Sequence, residues 1–175
     1  MSGWCLSNLL PLTPRHRLFA MIAATIPDVD GFGKPISEEL YLRYHHVLGH
    51  NLLFALLIST VLTIFSTRRI LAFVLYFALF HLHLFMDYWG SGPDWPIEYL
   101  WPFRSGPDYQ FMNANGWAFY SWQNILTAFL LLLWTIYIGW FGRRTPLELL
   151  MPKLDRRLVG LPPLEGRGFD PIMPK

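Results

Sequence analysis

Three long stretches without charge constrain the fold more than any other feature of the sequence. They are residues 51–65, 70–86 and 124–141, each with 15 to 18 residues that are mostly apolar or aromatic. A helix needs about 20 such residues to cross the hydrocarbon core of a bilayer. Each stretch is slightly short, and flanking aromatic side chains or local thinning of the bilayer would cover the difference. We therefore predict three membrane-spanning helices.

A fourth apolar segment, Leu18–Ile26, is too short to span a membrane alone. It is either extended by neighbouring residues or packed within the bundle. The chain is 53% hydrophobic and only 15% charged, whereas soluble domains have about 25% charged residues. We predict an all-α, polytopic helical membrane bundle with about three to four membrane segments. Residues 1–142 form the membrane-embedded domain, and residues 143–175 form a basic, proline-rich cytoplasmic tail.

Positive charges are spread unevenly over the segments that connect the apolar stretches. Eleven of the fourteen fall on one side of a four-segment arrangement: Arg15, Arg17, Arg68, Arg69, Arg143, Arg144, Lys153, Arg156, Arg157, Arg167 and Lys175. The opposite loops, residues 27–50 and 88–123, hold only Lys34, Arg43 and Arg104. Basic loops tend to stay on the cytoplasmic side. We predict cytoplasmic termini and two outward-facing loops, in a bacterial inner membrane.

The second outward loop, residues 88–123, is named here the aromatic loop. It contains Trp89, Trp95, Tyr99, Trp101, Phe103, Tyr109, Phe111, Trp117, Phe119, Tyr120 and Trp122. Tryptophan and tyrosine favour the headgroup zone, where one edge of the ring is wet and the rest is apolar. We expect this loop to lie on the membrane surface as a lid, in contact with membrane lipids. The formal net charge of +2 is too small to indicate nucleic acid as a partner.

Three short polar motifs lie at the outward ends of the predicted helices. They are residues 27–30 (PDVD), 45–50 (HHVLGH) and 83–87 (HLFMD). On a helix, His83 and Asp87 share one face and are about 6 Å apart along the axis. Asp28 and Asp30 are two apart in a turn, where both carboxylates can point inward. Carboxylates so close together would raise one another's pKa unless a cation lay between them.

The motifs therefore predict a metal site made of Asp28, Asp30, one histidine of the His45–His46 pair, His50, His83 and Asp87. A set of histidine and aspartate ligands without cysteine suits zinc best, with manganese or iron as alternatives. The spacing alone leaves the choice between His45 and His46 open. His81 points elsewhere on its helix and is interpreted as structural, and His16 lies towards the opposite membrane face.

In order and spacing these motifs resemble the YdjM-like family of membrane-bound metal-dependent hydrolases. Family members carry PD-x-D, then H-R-G-x-T-H-S, then S-H-x-x-x-D, then a W-P element. The matching residues here are 27–30, 45–51, 82–87 and 101–103, and the resemblance covers about residues 18–103. It favours His45, together with His50, over His46. His46, Gly49, Asn51 and Leu82 stand where the family pattern has Arg, Thr, Ser and Ser.

This family is similar, distantly, to the zinc phospholipase C and P1 nuclease group, which implies phosphoester hydrolysis. A divalent metal would lower the pKa of a bound water towards ~7, and Asp30 is the predicted general base. A site at headgroup level indicates a lipid-linked or other phosphoester substrate. The first alternative is a non-enzymatic membrane module with a structural metal or a partner-binding role. The second is a haem-binding or ion-handling membrane protein that uses His50 and His83.

Overall fold

A computed structural model of the protein describes residues 1–148 and 150–161. Within them the chain forms α-helices, 3₁₀ helices and one isolated antiparallel bridge between Ile97 and Phe111, with no β-strand. The α-helices are α1 (Ser2–Ser7), α2 (Pro14–Ala23), α3 (Glu38–Tyr44), α4 (Leu52–Ile64), α5 (Arg69–Gly90), α6 (Trp122–Gly142) and α7 (Pro152–Leu158). The 3₁₀ helices are Ile26–Gly33 and Pro107–Tyr109. The predicted all-α fold is confirmed.

Two of the three predicted spans are long enough to cross a membrane. Helix α5 has 22 residues and α6 has 21, and both are sufficiently apolar. Helix α4 has only 13 residues, or about 20 Å at 1.5 Å per residue. It begins one residue after the start of the predicted stretch, where the Asn51 side chain caps it and accepts a hydrogen bond from the Phe54 amide at 2.8 Å. Among the described residues, fewer helices are span-length than the three to four predicted.

The weaker apolar segment lies inside the bundle. Helix α2 begins at Pro14, where proline fits the first helical position and the Thr13 hydroxyl accepts a hydrogen bond from the His16 amide. Its ten residues give about 15 Å, half of a ~30 Å hydrocarbon core. Helix α2 packs against α1, α4 and α5. Of the two predicted alternatives, extension by neighbouring residues or packing within the bundle, the structure shows the second.

Helix α6 turns almost all of its apolar surface outward. Of its 21 residues only Ile138 is buried, while Phe129, Leu133 and Trp140 are among many that are exposed. The core helix of a soluble protein would have these side chains covered by the rest of the chain. An apolar surface of this extent on a monomer marks contact with a membrane or a partner. The exposed faces of α5 and α6 therefore indicate a membrane protein.

The main hydrophobic core joins α2 to the α4–α5 pair. The Tyr76 ring of α5 is fully buried there among small side chains of α2, including Ala20 and Ala23. Helix α1 approaches α2 closely, since a Cβ on Gly3 would lie 2.5 Å from the Ala20 carbonyl oxygen. Small residues allow such backbone approach between helices. The core fixes the end of α2, from which the 3₁₀ helix Ile26–Gly33 leads directly into the first aspartate motif.

The aromatic loop folds back over the start of α4. The Glu98 amide donates to the His46 carbonyl at 3.0 Å, and the Leu52 amide donates to the Tyr99 carbonyl at 2.9 Å. The Trp89 and Trp117 rings stack with centroids 5.6 Å apart. These bonds hold the loop against the histidine motif, and its expected position on the membrane surface stays a prediction.

The segment after α6 is anchored to the bundle at Glu148. Arg17 of α2 donates from Nε and Nη2 to the two Glu148 carboxylate oxygens at 2.5 and 2.6 Å, and also to the Leu12 carbonyl. The Thr145 amide donates to Asp155 of α7 at 2.5 Å. The predicted tail thus includes a short helix. Residues 149 and 162–175 of the predicted tail, among them Arg167 and Lys175, lie outside the described residues.

The Arg17–Glu148 pair generates a stability prediction. Both side chains are buried, at 4% and 10% exposure, so Arg17→Met leaves the Glu148 carboxylate without its partner. Removing one member of a buried ion pair costs about 3 kcal/mol or more. We expect a clear fall in the thermal unfolding temperature of the detergent-solubilised protein, measured by circular dichroism. The double variant Arg17→Met/Glu148→Leu should recover most of it; equal loss in the single and double variants would show that the pair is not the cause.

Candidate metal centre

Four side chains from three separate segments bring donor atoms together near the C-terminal end of α5. Asp28 lies in the 3₁₀ helix Ile26–Gly33, His50 lies two residues before α4, and His83 and Asp87 are one turn apart on α5. One donor atom from each lies within 4.8 Å of all the others. This spacing lets a single cation contact four ligands.

The distances inside this group, named here the four-ligand group, are short. His83 Nε2 is 2.9 Å from Asp87 Oδ2 and 3.3 Å from Asp28 Oδ1. His50 Nε2 is 3.1 Å from Asp87 Oδ2 and 3.9 Å from Asp28 Oδ1. Nevertheless, the buried His83 Nε2 has no hydrogen-bond partner with suitable geometry. His50 Nε2 is hydrogen-bonded to Asp87 Oδ2, and the convergence of both ring nitrogens on the two carboxylates fits the arrangement of ligands around a metal ion.

The other ring nitrogen of each histidine is tied to an acceptor. His83 Nδ1 lies 3.0 Å from the Ala24 carbonyl oxygen, which can only accept, so Nδ1 carries the proton. His50 Nδ1 lies 3.0 Å from Asp30 Oδ2. Histidine ligands of metals almost always donate their second N–H to a carbonyl or carboxylate, which fixes the ring and the tautomer. Both rings are therefore held with Nε2 facing the Asp87 carboxylate.

Asp30 stands behind the four-ligand group instead of facing into it. Its side chain is completely buried, and its oxygens lie 2.8 Å from His45 Nδ1, 3.0 Å from His50 Nδ1 and 2.8 Å from the Gly49 amide nitrogen. Burial alone would raise the pKa of this carboxyl, but the hydrogen bonds from His45 and His50 hold it well below its usual range. Asp30 is thus an ionised acceptor that orients two imidazoles.

Gly49 allows that arrangement because it has no side chain. A Cβ at residue 49 would lie 2.0 Å from the Pro27 carbonyl oxygen and 3.2 Å from Asp30 Cγ. Real Cβ atoms do not approach backbone so closely, so any larger residue would push the 3₁₀ helix away from the histidine motif. The glycine, which replaces a threonine of the resembled pattern, lets the chain segments of Asp30 and His50 touch.

The acidic surroundings also act on His50. Its burial opposes the charged form, yet hydrogen bonds with Asp30 and Asp87 raise the pKa of its imidazole above the ordinary value. Carboxylates that favour a proton on His50 would equally favour a cation. The neighbourhood is therefore electrostatically suited to positive charge.

His45 and His46 form a second group with His50, again with one nitrogen of each within 4.8 Å of the others. His46 adopts a left-handed backbone, with φ of 67°, which is uncommon for a side chain of this size and is often found at functional sites. Its Nδ1 is buried without a hydrogen-bond partner. Burial, with the neighbouring His50, lowers the pKa of His46 to about 3, so the imidazole is neutral and able to bind a metal.

The predicted site residues therefore meet, but in two layers. Asp28, His50, His83 and Asp87 offer converging atoms, whereas Asp30 and His45 hydrogen-bond to each other behind them. Two histidines outside the prediction are satisfied elsewhere. His81 pairs with the Phe77 carbonyl and the Tyr99 hydroxyl, both at 2.8 Å, as its structural interpretation requires. His16 lies 2.7 Å from the Tyr76 hydroxyl.

Several supporting residues were not found from the sequence. The Ser91 hydroxyl donates to Asp87 Oδ1 at 3.3 Å, and the spacing of four residues on one helix could have indicated it. Tyr41 stacks on His45 with ring centroids 4.6 Å apart, and the ring centroids of Trp95 and His46 are 5.3 Å apart. No sequence signal distinguishes Trp95 from the other aromatic residues of its loop.

The exposure of the four-ligand group decides how it can be reached. His50 is fully buried, and His83 and Asp87 are 12% and 19% exposed, whereas the Asp28 side chain is 59% exposed. The group is therefore open to solvent on the side of Asp28.

Comparison with known proteins gives a family. The chain matches the YdjM inner membrane protein family over residues 2–152. No curated protein and no solved structure matches it. The family's description agrees with the exposed apolar helices and with the predicted location in a membrane. Since the match covers most of its length, the chain belongs to the YdjM inner membrane protein family.

Proposed function

We propose that this protein is a membrane-bound, metal-dependent hydrolase whose four-ligand group holds a divalent cation. The observation that carries the proposal is the convergence of two histidine Nε2 atoms and two carboxylates, with the second nitrogen of each ring tied to an acceptor. Two nitrogen and two oxygen donors without sulfur favour zinc, and manganese or iron are alternatives. The substrate class that we propose is a phosphoester, lipid-linked or otherwise at headgroup level.

A cation in this position would supply Lewis acidity, polarising a phosphoryl or carbonyl oxygen and acidifying water. The chain's own residues have separate tasks. His50 and His83 would hold the cation through their Nε2 atoms, and Asp30 and the Ala24 carbonyl keep these rings in place. Asp30 has three hydrogen-bond partners and no exposure, so we assign it to positioning instead of the general base role predicted from the sequence.

Asp28 is better placed to exchange protons with a substrate or with water. Its Oδ1 belongs to the four-ligand group, while the rest of its side chain is exposed. This open side also favours an enzyme over a purely structural metal site, since structural sites are usually closed by protein ligands. A haem between His50 and His83 does not suit the geometry, because both Nε2 atoms lie within 3.1 Å of the same Asp87 oxygen.

The topology that we propose puts this site at the outer face of the membrane. The basic residues gather at the opposite ends of the helices, and the positive-inside rule assigns those ends to the cytoplasm. The aromatic loop lies against the histidine motif, with many of its rings exposed. The site would thus open at the level of lipid headgroups.

The metal content of purified variants tests the ligand set. We expect about one divalent ion per chain in the wild type and a loss of at least tenfold in His83→Ala, because a coordinating nitrogen is removed. His81→Ala is the matched control, since His81 lies two residues away on α5 but bonds only outside the group. The number of metal ions per chain is measured by mass spectrometry on protein purified without chelators. Full occupancy in His83→Ala, or equal loss in both variants, would contradict the assignment.

Hydrolytic activity is tested separately from metal binding. The metal-loaded protein in phospholipid vesicles should release phosphate or a headgroup from a panel of phosphoesters, and Asp87→Ala should lose both metal and activity. A wild type that holds its metal but hydrolyses nothing in the panel would contradict the hydrolase proposal. It would support instead a structural metal that links the ends of the helices in a non-enzymatic protein.

Asp30→Asn tests the positioning role. The amide can still accept a hydrogen bond, but it lacks the charge that holds His45 and His50 in their orientation. Changes to such supporting residues typically cost 10–100-fold in metal affinity, and we expect a loss within about that range with no large fall in thermal stability. Competition with a metal indicator measures it. An affinity equal to that of the wild type would contradict this role.

Gly49→Ala tests the close approach between segments. The added methyl group would overlap the Pro27 carbonyl, so the 3₁₀ helix that carries Asp28 must move away. We expect loss of most of the bound metal while the helix content, measured by circular dichroism, stays near that of the wild type. Gly139→Ala is the control, because this glycine lies within α6 and a Cβ there would make only an ordinary contact, 3.8 Å from the Arg144 carbonyl oxygen. Normal metal content in Gly49→Ala would show that the contact is not required.

A further inference from the structure

A large cavity lies beside the metal centre, between α5, α6 and α1. Its volume is about 630 Å³, well within the range of small-molecule sites. Aromatic and aliphatic side chains make most of its wall, and the only polar ones are Ser2, Asn124 and Thr127, with no charged residue among those that line it. Phe85 and Met86, both on its α5 wall, are 61% and 38% exposed, so the cavity is a groove open to the side.

Within the described residues, two sets of contacts fasten α6 to the bundle. At the upper end, the Asn124 amide donates to the Gly90 carbonyl at 2.8 Å and its oxygen accepts from Trp117 Nε1 at 2.8 Å. Lower down, Cys5 and Trp4 of α1 pack with Ile138, and Cys5 Sγ lies 3.3 Å from Thr135 Oγ1. Between these points the α5 and α6 helices are held apart.

The length of the groove corresponds to one leaflet of a bilayer. From Asn124 to Trp134 the α6 wall runs ten residues, about 15 Å along the helix axis. The hydrocarbon core is about 30 Å thick, so the groove covers half of it, on the side where Asp87 and the metal centre lie. Its walls continue into the exposed apolar faces of α5 and α6, which we assign to the hydrocarbon.

A transmembrane helix from a partner suits this space less well than a lipid chain does. A partner helix would need a contact surface across the whole membrane, whereas the walls of the groove cover about half of the hydrocarbon core. An acyl chain of one leaflet is apolar, narrow and of about that length.

We propose that the groove binds an acyl chain of a phospholipid from that leaflet. The lipid headgroup would emerge at the Trp89–Trp117 end, where indole rings favour the boundary between hydrocarbon and water. Met86 on the groove wall and His83 of the metal centre are three positions apart, about 60° around the same helix. The identification of this lipid as the substrate rests on the proposed function, whereas its binding does not.

Retention of lipid by the whole chain tests the groove directly. The protein is reconstituted with phosphatidylethanolamine and phosphatidylglycerol and then released into mild detergent, and native mass spectrometry counts the lipids bound. Thr127→Trp and Leu82→Trp fill the groove from opposite walls, and we expect each to lower lipid retention at least fivefold. Ile125→Trp is the matched control, because Ile125 lies about 160° around α6 from Thr127 and is 63% exposed.

An unchanged thermal unfolding temperature in all three variants, measured by circular dichroism, shows that each is folded. Retention equal to that of the control in both groove variants would overturn the proposal. So would a wild type that carries no lipid but forms a dimer that Thr127→Trp disrupts, since a second copy would then fill the groove. Lipid counting requires no turnover, so failure of the hydrolase proposal leaves this result standing. If hydrolysis is found, Thr127→Trp should raise KM about tenfold for a long-chain phospholipid but not for a short-chain, water-soluble phosphoester.

Discussion

The buried carboxylate of Asp30 is the contact on which the geometry of the candidate site depends. It comes from the 3₁₀ helix after α2, and it binds His45, the Gly49 amide and His50 across the chain. A desolvated charge is costly to bury without partners, and these three hydrogen bonds offset that cost only if both segments stay in register. The same bonds fix the His50 ring against Asp87 of α5. A single residue thus links the α2–3₁₀ segment, the histidine motif and the longest helix.

The sequence predicted well those features that depend on local pattern. Uncharged apolar stretches marked α4, α5 and α6, and the four-residue spacing of His83 and Asp87 put both on one helix face, as found. The span count was less predictable because the predicted stretches were all slightly short of a membrane span. Helix α4 covers residues 52–64 of the predicted stretch 51–65, so its position was predicted but its 13 residues are too few for a span.

The division of the site into ligands and supports could not be predicted from residue types. Asp28 and Asp30 are identical side chains two positions apart, yet one is 59% exposed and the other fully buried. That difference arises from the direction of each side chain on the 3₁₀ helix and from the contact at Gly49, neither of which spacing reveals. The hydrogen bond between His83 and the Ala24 carbonyl could not be predicted either, because any residue could supply a backbone oxygen.

The unequal exposure of the four-ligand group has a consequence for how the protein would acquire its metal. Its donors come from residues as far apart as 28 and 87, so the site is complete only after α5 has been made and inserted. Of the four, Asp28 is the side chain open to water, and a cation would arrive and leave past it. The supply of free metal in the aqueous compartment on that side, more than the ligand set itself, would then select the ion that is bound.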